Sequence, residues 1–279
     1  MSQLDNNEFR LLRDYVEKNC GIHVDEQKAY LVETRLLPLM VENGCRTFTE
    51  FYYKAIADKS LKLRDKIIDA MTTNETLWFR DQYPYTILTQ EILPAFATEI
   101  ANGTRKTIRI WSAACSTGQE PYSVAITIRE YARLKGLDTS CFEIIATDIS
   151  PTVLFLAQNG RYDSLIMSRG MPDDLRKSYF QTNGKVWTID DSIKKAVSFR
   201  KLNLQEDFSF MGKLDIIFCR NVLIYFSEPF KRNILNRMSK LLQANGTLFV
   251  GASESIISYS NDYVMKQSGK SIFYKVKQV

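Results

Sequence analysis

Histidine is almost missing from this sequence: His23 is the only one among 279 residues. The five cysteines, Cys20, Cys45, Cys115, Cys141 and Cys219, are scattered, and no two form a C-x-x-C pair. Zinc needs clustered imidazole and thiolate ligands, so no metal site is expected. No apolar run approaches the roughly 20 residues needed to span a membrane. The opening "MSQLDNNEFRLLRDY" is polar and acidic, unlike a secretory signal, so a cytoplasmic protein with reduced cysteines is expected. Basic runs of five or more are also missing, which argues against nucleic acid despite a net charge of +5. Residues 1–75 hold 11 Lys/Arg and 13 Asp/Glu, net −2, and the remainder 26 and 19, net +7. A modest positive field on the larger part favours an acidic partner surface. What is present, 45% hydrophobic and 25% charged residues, is ordinary globular composition, with length for one large or two smaller domains.

The chain divides near residues 75–85. Up to Met71 it reads as helices alone: "NNEFRLLRDYVEKNC", "EQKAYLVETRLLPLMVENG", "TFTEFYYKAIAD" and "SLKLRDKIIDAM". Phe9, Leu12 and Val16 recur at helical spacing in the first, and Leu31, Leu36 and Leu39 in the second. Gly21 and Gly44 fall just past helix ends, where left-handed caps form. From about residue 107 strands and helices alternate: "TIRIWSAA", a helix from Pro121, "FEIIATD", a helix opening at "SPTVLFLAQNG", "KLDIIFCRN", a helix from "EPFKRNILNRMSKLLQANG", then "TLFVGAS" and "SIFYKV". This alternation predicts a mostly parallel sheet with helices on both faces and ligands at the carboxyl ends of its strands.

The first strand-to-helix loop, "WSAACSTGQEPYS" over 111–123, has one glycine, Gly118. It is either an ordinary turn or a ligand loop, but it carries neither the dinucleotide pattern G-x-G-x-x-G nor the P-loop pattern. NAD and the phosphates of ATP are therefore disfavoured. Asp148 ends the second strand, where nucleoside-binding sheets bond ribose hydroxyls. It could instead satisfy the dipole of the following helix, but Ser150 already stands at the cap position. A glycine-poor loop with an adenosine-type acid points to S-adenosylmethionine, which has a ribose but no phosphate.

"TTNETLWFRD" over 72–81 bridges the two halves; on its own it is a polar linker with aromatic anchors. Taken with "SAACSTGQEPYS", "IIATDIS" and "LDIIFCRNVLIYF", it resembles the chemotaxis receptor-glutamate methyltransferases, the CheR-type family. The resemblance runs from "GIHVDEQKAYLVETRL" to "GASES" and "FYKV". It implies an α/β fold: a Rossmann-like class I methyltransferase sheet with a small antiparallel β-subdomain, preceded by an all-α N-terminal domain. The boundaries expected are 1–75 for the helical domain and 76–279 for the methyltransferase domain, with about 161–200 as the β-subdomain. The donor implied is S-adenosylmethionine, giving S-adenosylhomocysteine, and the substrate is the glutamate γ-carboxylates on cytoplasmic methylation helices of chemoreceptors. A monomer is expected, with no membrane insertion.

The resemblance also places site residues. Asn74, Thr76 and Arg80 match donor-site positions, with Arg80 beside the methionine carboxylate and the reacting centre. Where the family has two adjacent acids, Gln119 replaces the first and leaves Glu120 for the donor's α-amino group. Asp148 matches the ribose acid, Asn203 and Leu204 the positions flanking adenine, and Arg220 and Asn221 the "CRN" element. Tyr225 matches the family's tyrosine near the transferred methyl. Ala252 stands where the family has histidine. Two other readings stay open: a non-catalytic S-adenosylmethionine-binding regulator, and a nucleic-acid methyltransferase. Against the latter, "CRNVLIYF" replaces the Asn/Asp-Pro-Pro-Tyr/Phe of exocyclic-amine enzymes, and no cysteine follows a proline. Within 161–200, "PDDLRKSYF" reads as a helix, "QTNGKVWTI" and "AVSFRKL" as strands, and Asn183-Gly184 as a two-residue turn with φ positive at both. A turn that short leaves no room for the extended glycine loop of tether-binding relatives. The expected docking element is therefore the helical domain, through Lys28, Arg35 and Arg46, without a C-terminal receptor tether.

Overall fold

Asp5 and Glu8 start the first helix by capping each other's backbone. In the computed structural model, which describes residues 4–269 and 271–277, the Asp5 carboxylate accepts the N–H groups of Asn7 and Glu8, and Glu8 accepts that of Asp5. This reciprocal box satisfies donors that the first turn leaves open. Helix α1 (Asn6–Cys20) packs with α2 (Ala29–Glu42), α3 (Phe48–Ala57) and α4 (Lys62–Met71) around Phe9, Leu12, Val16, Leu36, Phe51 and Ile67. The inward row of α2 is Val32, Leu36 and Met40. Leu31 and Leu39, expected on that face, are only half-buried. Leu36 belongs to both candidate stripes, which the sequence pattern leaves open, and the folded helix buries the i, i+4 row.

Two short helices, α5 (Tyr83–Ile87) and α6 (Leu93–Ala101), lead into the sheet. There follow β1 (Ile108–Ala113), α7 (Gln119–Lys135), β2 (Phe142–Asp148) and α8 (Pro151–Asn159). Next come β3 (Arg161–Asp163), α9 (Ser164–Ser168), α10 (Asp173–Tyr179), β4 (Phe180–Asn183), β5 (Val186–Ile189), α11 (Asp191–Lys195) and β6 (Val197–Lys201). The chain closes with β7 (Leu214–Cys219), α12 (Glu228–Leu241), β8 (Leu242–Phe249), β9 (Tyr263–Ser268) and β10 (Ser271–Val276). The large sheet has the order β6-β2-β1-β7-β8-β10-β9. Its first five strands run parallel, and β10 runs against both neighbours. Every residue of β7 is buried, as a strand covered on both faces requires. Ile110, Ile144 and Ile216 fill one face with Ile126 of α7, while Trp111, Ile145 and Ile217 fill the other with Leu235 and Met238 of α12.

The small antiparallel sheet, β3-β5-β4, is an insertion in the crossover from β2 to β6. Two expectations change here. "AVSFRKL" supplies β6, the edge of the large sheet paired parallel to β2, and so does not belong to the small one. The hairpin turn is Gly184-Lys185, because Asn183 pairs with Val186, and of the turn residues only Gly184 has positive φ, 66°. The turn is nonetheless two residues long. Trp78, fully buried, is the aromatic anchor of the 72–81 segment, edge-on to Tyr162 at 4.9 Å and Phe180 at 5.3 Å. Such pairs add about 0.5–1.5 kcal/mol each beyond burial, so the segment is fastened to the small sheet.

Candidate active site

The order of the large sheet reverses at β1, with β2 and β6 on one side and β7 onward on the other. Ala113 pairs with both Thr147 and Cys219, so β1, β2 and β7 end level. Loops diverging from such a switch point leave a crevice. The helical bundle closes its top. Asn203 Nδ2 donates to the Asn19 carbonyl (2.7 Å), Gln205 Nε2 to that of Glu17 (2.9 Å), and the His23 N–H to that of Tyr225 (2.8 Å). Ile22 and Phe226 form an antiparallel bridge.

The ten residues singled out from the sequence line this one cavity: Asn74, Thr76, Arg80, Glu120, Asp148, Asn203, Leu204, Arg220, Asn221 and Tyr225. Cys20 and Ile22 add a wall from the bundle. The loop after β1 reaches the cavity through backbone that side chains rarely adopt, with φ of 56° at Ala114, 50° at Ser116 and 93° at Gly118. A Cβ on Gly118 would lie 3.0 Å from that of Ala157, so the start of α7 rests directly on α8. The conformation turns the Ser116 N–H onto Asp148 Oδ2 (2.8 Å), and Ser116 Oγ donates to the Asn74 carbonyl (2.8 Å).

Asp148 also accepts the Ser150 N–H (3.0 Å), while Ser150 Oγ takes the Val153 N–H and caps α8. The helix cap is thus Ser150, leaving the Asp148 carboxylate at the cavity wall. Burial raises its pKa above the ordinary carboxylate value, and N–H groups of Ser150, Ser116 and Ile149 pull it partly back.

Glu120, in the first turn of α7, is gripped from two strands. Its Oε1 accepts from Ser112 Oγ (2.8 Å) and its Oε2 from Arg220 Nη1 (2.9 Å). The Arg220 side chain is 1% exposed. Its Nη2 donates to Asp81 Oδ2 (2.7 Å) and to the Arg80 carbonyl (2.8 Å). Burial opposes the Arg220 charge, but Glu120, with Tyr85, Tyr83 and Asp81, outweighs it and holds the pKa above the ordinary arginine value. The loop that Arg220 grips has positive φ at Phe79 (46°), Asp81 (66°) and Gln82 (52°). Among the described residues Arg80 itself bonds only the Glu75 carbonyl (3.3 Å). The Glu75 carboxylate is turned to Arg169 instead (2.6 Å). The Asn203 amide is taken up by Asn19 and the Gln205 N–H, so it ties the cavity wall to α1. Asn221, at φ 57°, has a buried side-chain oxygen with no partner among the described residues.

Three participants went unseen in the sequence: Ser112, Ser116 and Asp81. The small residues of "SAACSTG" hint at close approach, but nothing in their identity shows which backbone N–H meets Asp148. Among the described residues no group of three or more His, Cys, Asp or Glu could hold a metal ion, and no helix is long and apolar enough to cross a membrane.

Comparison with known proteins converges on one family. Residues 7–72 match the model of the CheR methyltransferase all-alpha domain, and residues 74–272 that of the CheR methyltransferase SAM binding domain. The chain is 42% identical over 274 residues to Chemotaxis protein methyltransferase Cher2 of Pseudomonas putida, covering 98% of both chains. It is 43% identical, with the same coverage, to Chemotaxis protein methyltransferase 1 of Pseudomonas aeruginosa. With the Chemotaxis protein methyltransferase of Vibrio parahaemolyticus it shares 40% over 275 residues, again 98% of each. Helical bundle, switch-point cavity and near-full-length similarity agree: this chain belongs to the CheR methyltransferase family and carries its all-alpha and S-adenosylmethionine-binding domains in that order.

Proposed function

We propose that the chain transfers a methyl group from S-adenosylmethionine to glutamate γ-carboxylates on the cytoplasmic methylation helices of a bacterial chemoreceptor, forming methyl esters. One observation carries this reading. The cavity holding Asp148, Glu120 and Arg80 shares Ile22, Thr73, Tyr225 and Phe226 with a groove between bundle and sheet, and that groove bears Lys28, Arg35 and Lys231. The groove also bears Asp25, 4.0 Å from Lys28, and Glu228, so a donor site opens onto a slot with a slight excess of cations, which favours an acidic helix.

The residues fit the donor. Asp148 would take the donor's vicinal diol, and Leu204 and Ile149 would supply apolar wall for adenine. Glu120 and the Asn221 oxygen, which has no partner among the described residues, would accept from an ammonium, and Arg80 would be the cation for a carboxylate. When bound, S-adenosylmethionine supplies a methyl group already made electrophilic by its sulfonium. A glutamate side chain has a pKa near 4.3 and is ionised at neutral pH, so no general base is required. The chain's task is to align the carboxylate and strip its water, with Arg80 and Tyr225 donating the orienting hydrogen bonds. On the acceptor side Arg35 is occupied, donating to the carbonyls of Met71 (2.6 Å) and Thr72 (3.3 Å) and to Thr73 Oγ1 (2.9 Å). Arg46 is not among the groove's lining residues. Lys28 and Lys231 are the cations proposed to meet the receptor.

Because the hairpin turn is only two residues long, no extended loop follows β4, and docking is proposed to proceed without a receptor tether. Incubation with tritiated donor and receptor fragments, with and without the C-terminal peptide, tests both points. Base-labile methanol is expected from both fragments equally. No methanol from either sinks the esterification reading; release only when the peptide is present sinks the tether-free reading alone.

A separate test isolates the donor site. Asp148→Ala is expected to weaken binding of S-adenosylhomocysteine by about 1.5–3 kcal/mol, the range for hydrogen bonds to a charged group. Calorimetry on the folded variant measures this. Unchanged affinity would assign Asp148 to holding the Ser116 and Ser150 N–H groups and nothing more.

A further inference from the structure

Glu254 lies in the "GASES" segment after β8 and is not part of the cavity wall. Its Oε2 accepts the backbone N–H groups of Asn221 (2.7 Å) and Gly251 (2.7 Å), and its Oε1 that of Ile224 (3.2 Å). Two of those donors belong to the loop that leaves β7 and brings Asn221 and Tyr225 to the cavity. That loop has little regular structure, a single turn at Leu223–Tyr225. It also begins in the left-handed region, at Asn221, which asparagine adopts more readily than other side chains but less readily than glycine. The bundle holds the far end, through the bridge between Ile22 and Phe226 and the His23 N–H on the Tyr225 carbonyl. Glu254 holds the near end at Asn221 and also reaches the Ile224 N–H beside Tyr225.

The rest of the segment is shaped around this contact. A Cβ on Gly251 would fall 2.6 Å from Asn221 Nδ2 and 2.9 Å from Glu254 Oε2. The two loops therefore approach as closely as they do because that position is bare. Ala252 and Ser253 are exposed, so the replacement at Ala252 leaves the inward contact untouched.

We propose that Glu254 is a positioning residue for methyl transfer: its carboxylate fixes the 221–225 loop so that Tyr225 is presented at the mouth of the cavity. This rests on the role given to Tyr225 above. A glutamate that merely stabilised the fold would affect melting, and its removal would add to that of any other residue. A glutamate acting through Tyr225 makes a different prediction. In Glu254→Gln the amide oxygen still serves the two short bonds, to Asn221 and Gly251, while an NH2 group faces the Ile224 N–H. The end nearest Tyr225 is then the end that loosens.

The experiment uses the full chain with a receptor fragment as acceptor, measuring kcat, KM for the donor, and the thermal midpoint. Tyr225→Phe is expected to lower kcat about 100-fold and Glu254→Gln about 10-fold, with donor KM changed less than about threefold; the double variant should fall no further than Tyr225→Phe alone. Gly251→Ala, which pushes on Asn221 and Glu254 from the other side, is expected to show the same dependence on Tyr225 and serves if Glu254→Gln does not fold. Multiplied losses in the double variant overturn the proposal. So does a kcat for Glu254→Gln or a folded Gly251→Ala within about twofold of the unmodified chain, in a series where Tyr225→Phe is impaired. If Tyr225→Phe itself turns over normally, the role of Tyr225 falls, and this proposal with it.

Discussion

Arg80→Ala is expected to lower kcat/KM for methyl transfer by about 100- to 1,000-fold while leaving the fold intact. The argument starts from what Arg80 does not do. Among the described residues no carboxylate pairs with it; its one hydrogen bond is a 3.3 Å contact to the Glu75 carbonyl. The acid within its own segment, Glu75, pairs with Arg169 at 2.6 Å. The guanidinium therefore faces the cavity with its charge unspent, and the backbone behind it is immobilised by Arg220 on the Arg80 carbonyl and on Asp81. A donor carboxylate in that cavity would lose its cation in the alanine variant. Stranding a buried charge costs about 3–5 kcal/mol; half-burial of Arg80 places the effect at the lower end. Arg80→Lys should recover only part of the loss, because an ammonium cannot reproduce a bidentate contact. Steady-state kinetics on variants with unchanged circular dichroism decides it. Turnover of the alanine variant within about threefold of the unmodified chain would remove Arg80 from the reaction.

The sequence showed the walls of this site far better than what braces them. The ten lining residues stand in five short segments that the family resemblance singled out, and the strand-to-helix alternation brings four of them to the ends of β1, β2, β6 and β7. The braces are different. Arg220 meets Glu120 across 100 positions and Asp81 across 139, and Glu254 meets Asn221 across 33. No periodicity or cap signal reports a pairing at such separations. Backbone strain was equally hidden: Phe79, Asp81 and Gln82 hold positive φ, yet only glycine, and to a lesser degree asparagine, advertises that region in a sequence. The misplaced strand has the same origin. The pattern of "AVSFRKL" announces a strand but not which sheet receives it, and parallel pairing with β2 becomes visible only once the whole insertion has been traversed.

The charge pairs that brace the site make the second large prediction. Arg220→Ala is expected to destabilise the protein by about 3–5 kcal/mol, the cost of breaking a buried ion pair by deleting one partner. Glu120, whose side chain is 11% exposed, would keep a single donor, Ser112 Oγ, and Asp81 would lose its cation. The strained 79–82 loop would lose two hydrogen bonds at once. Most of that cost comes from the stranded carboxylate rather than from the bond itself, and this gives the test its sharpness. Adding Glu120→Gln to Arg220→Ala should return part of the lost stability, since a neutral amide is far cheaper to leave underpaired than a carboxylate. Glu120→Gln alone should destabilise by less, because the buried Arg220 loses one of its two carboxylate partners and keeps Asp81. The two changes are thus expected to be strongly non-additive, with a coupling of about 1–3 kcal/mol in a double-mutant cycle measured by denaturant unfolding. Additive losses, or an Arg220→Ala variant within about 1 kcal/mol of the unmodified chain, would mean that the pair is not what holds Glu120 and the Arg80 loop in register.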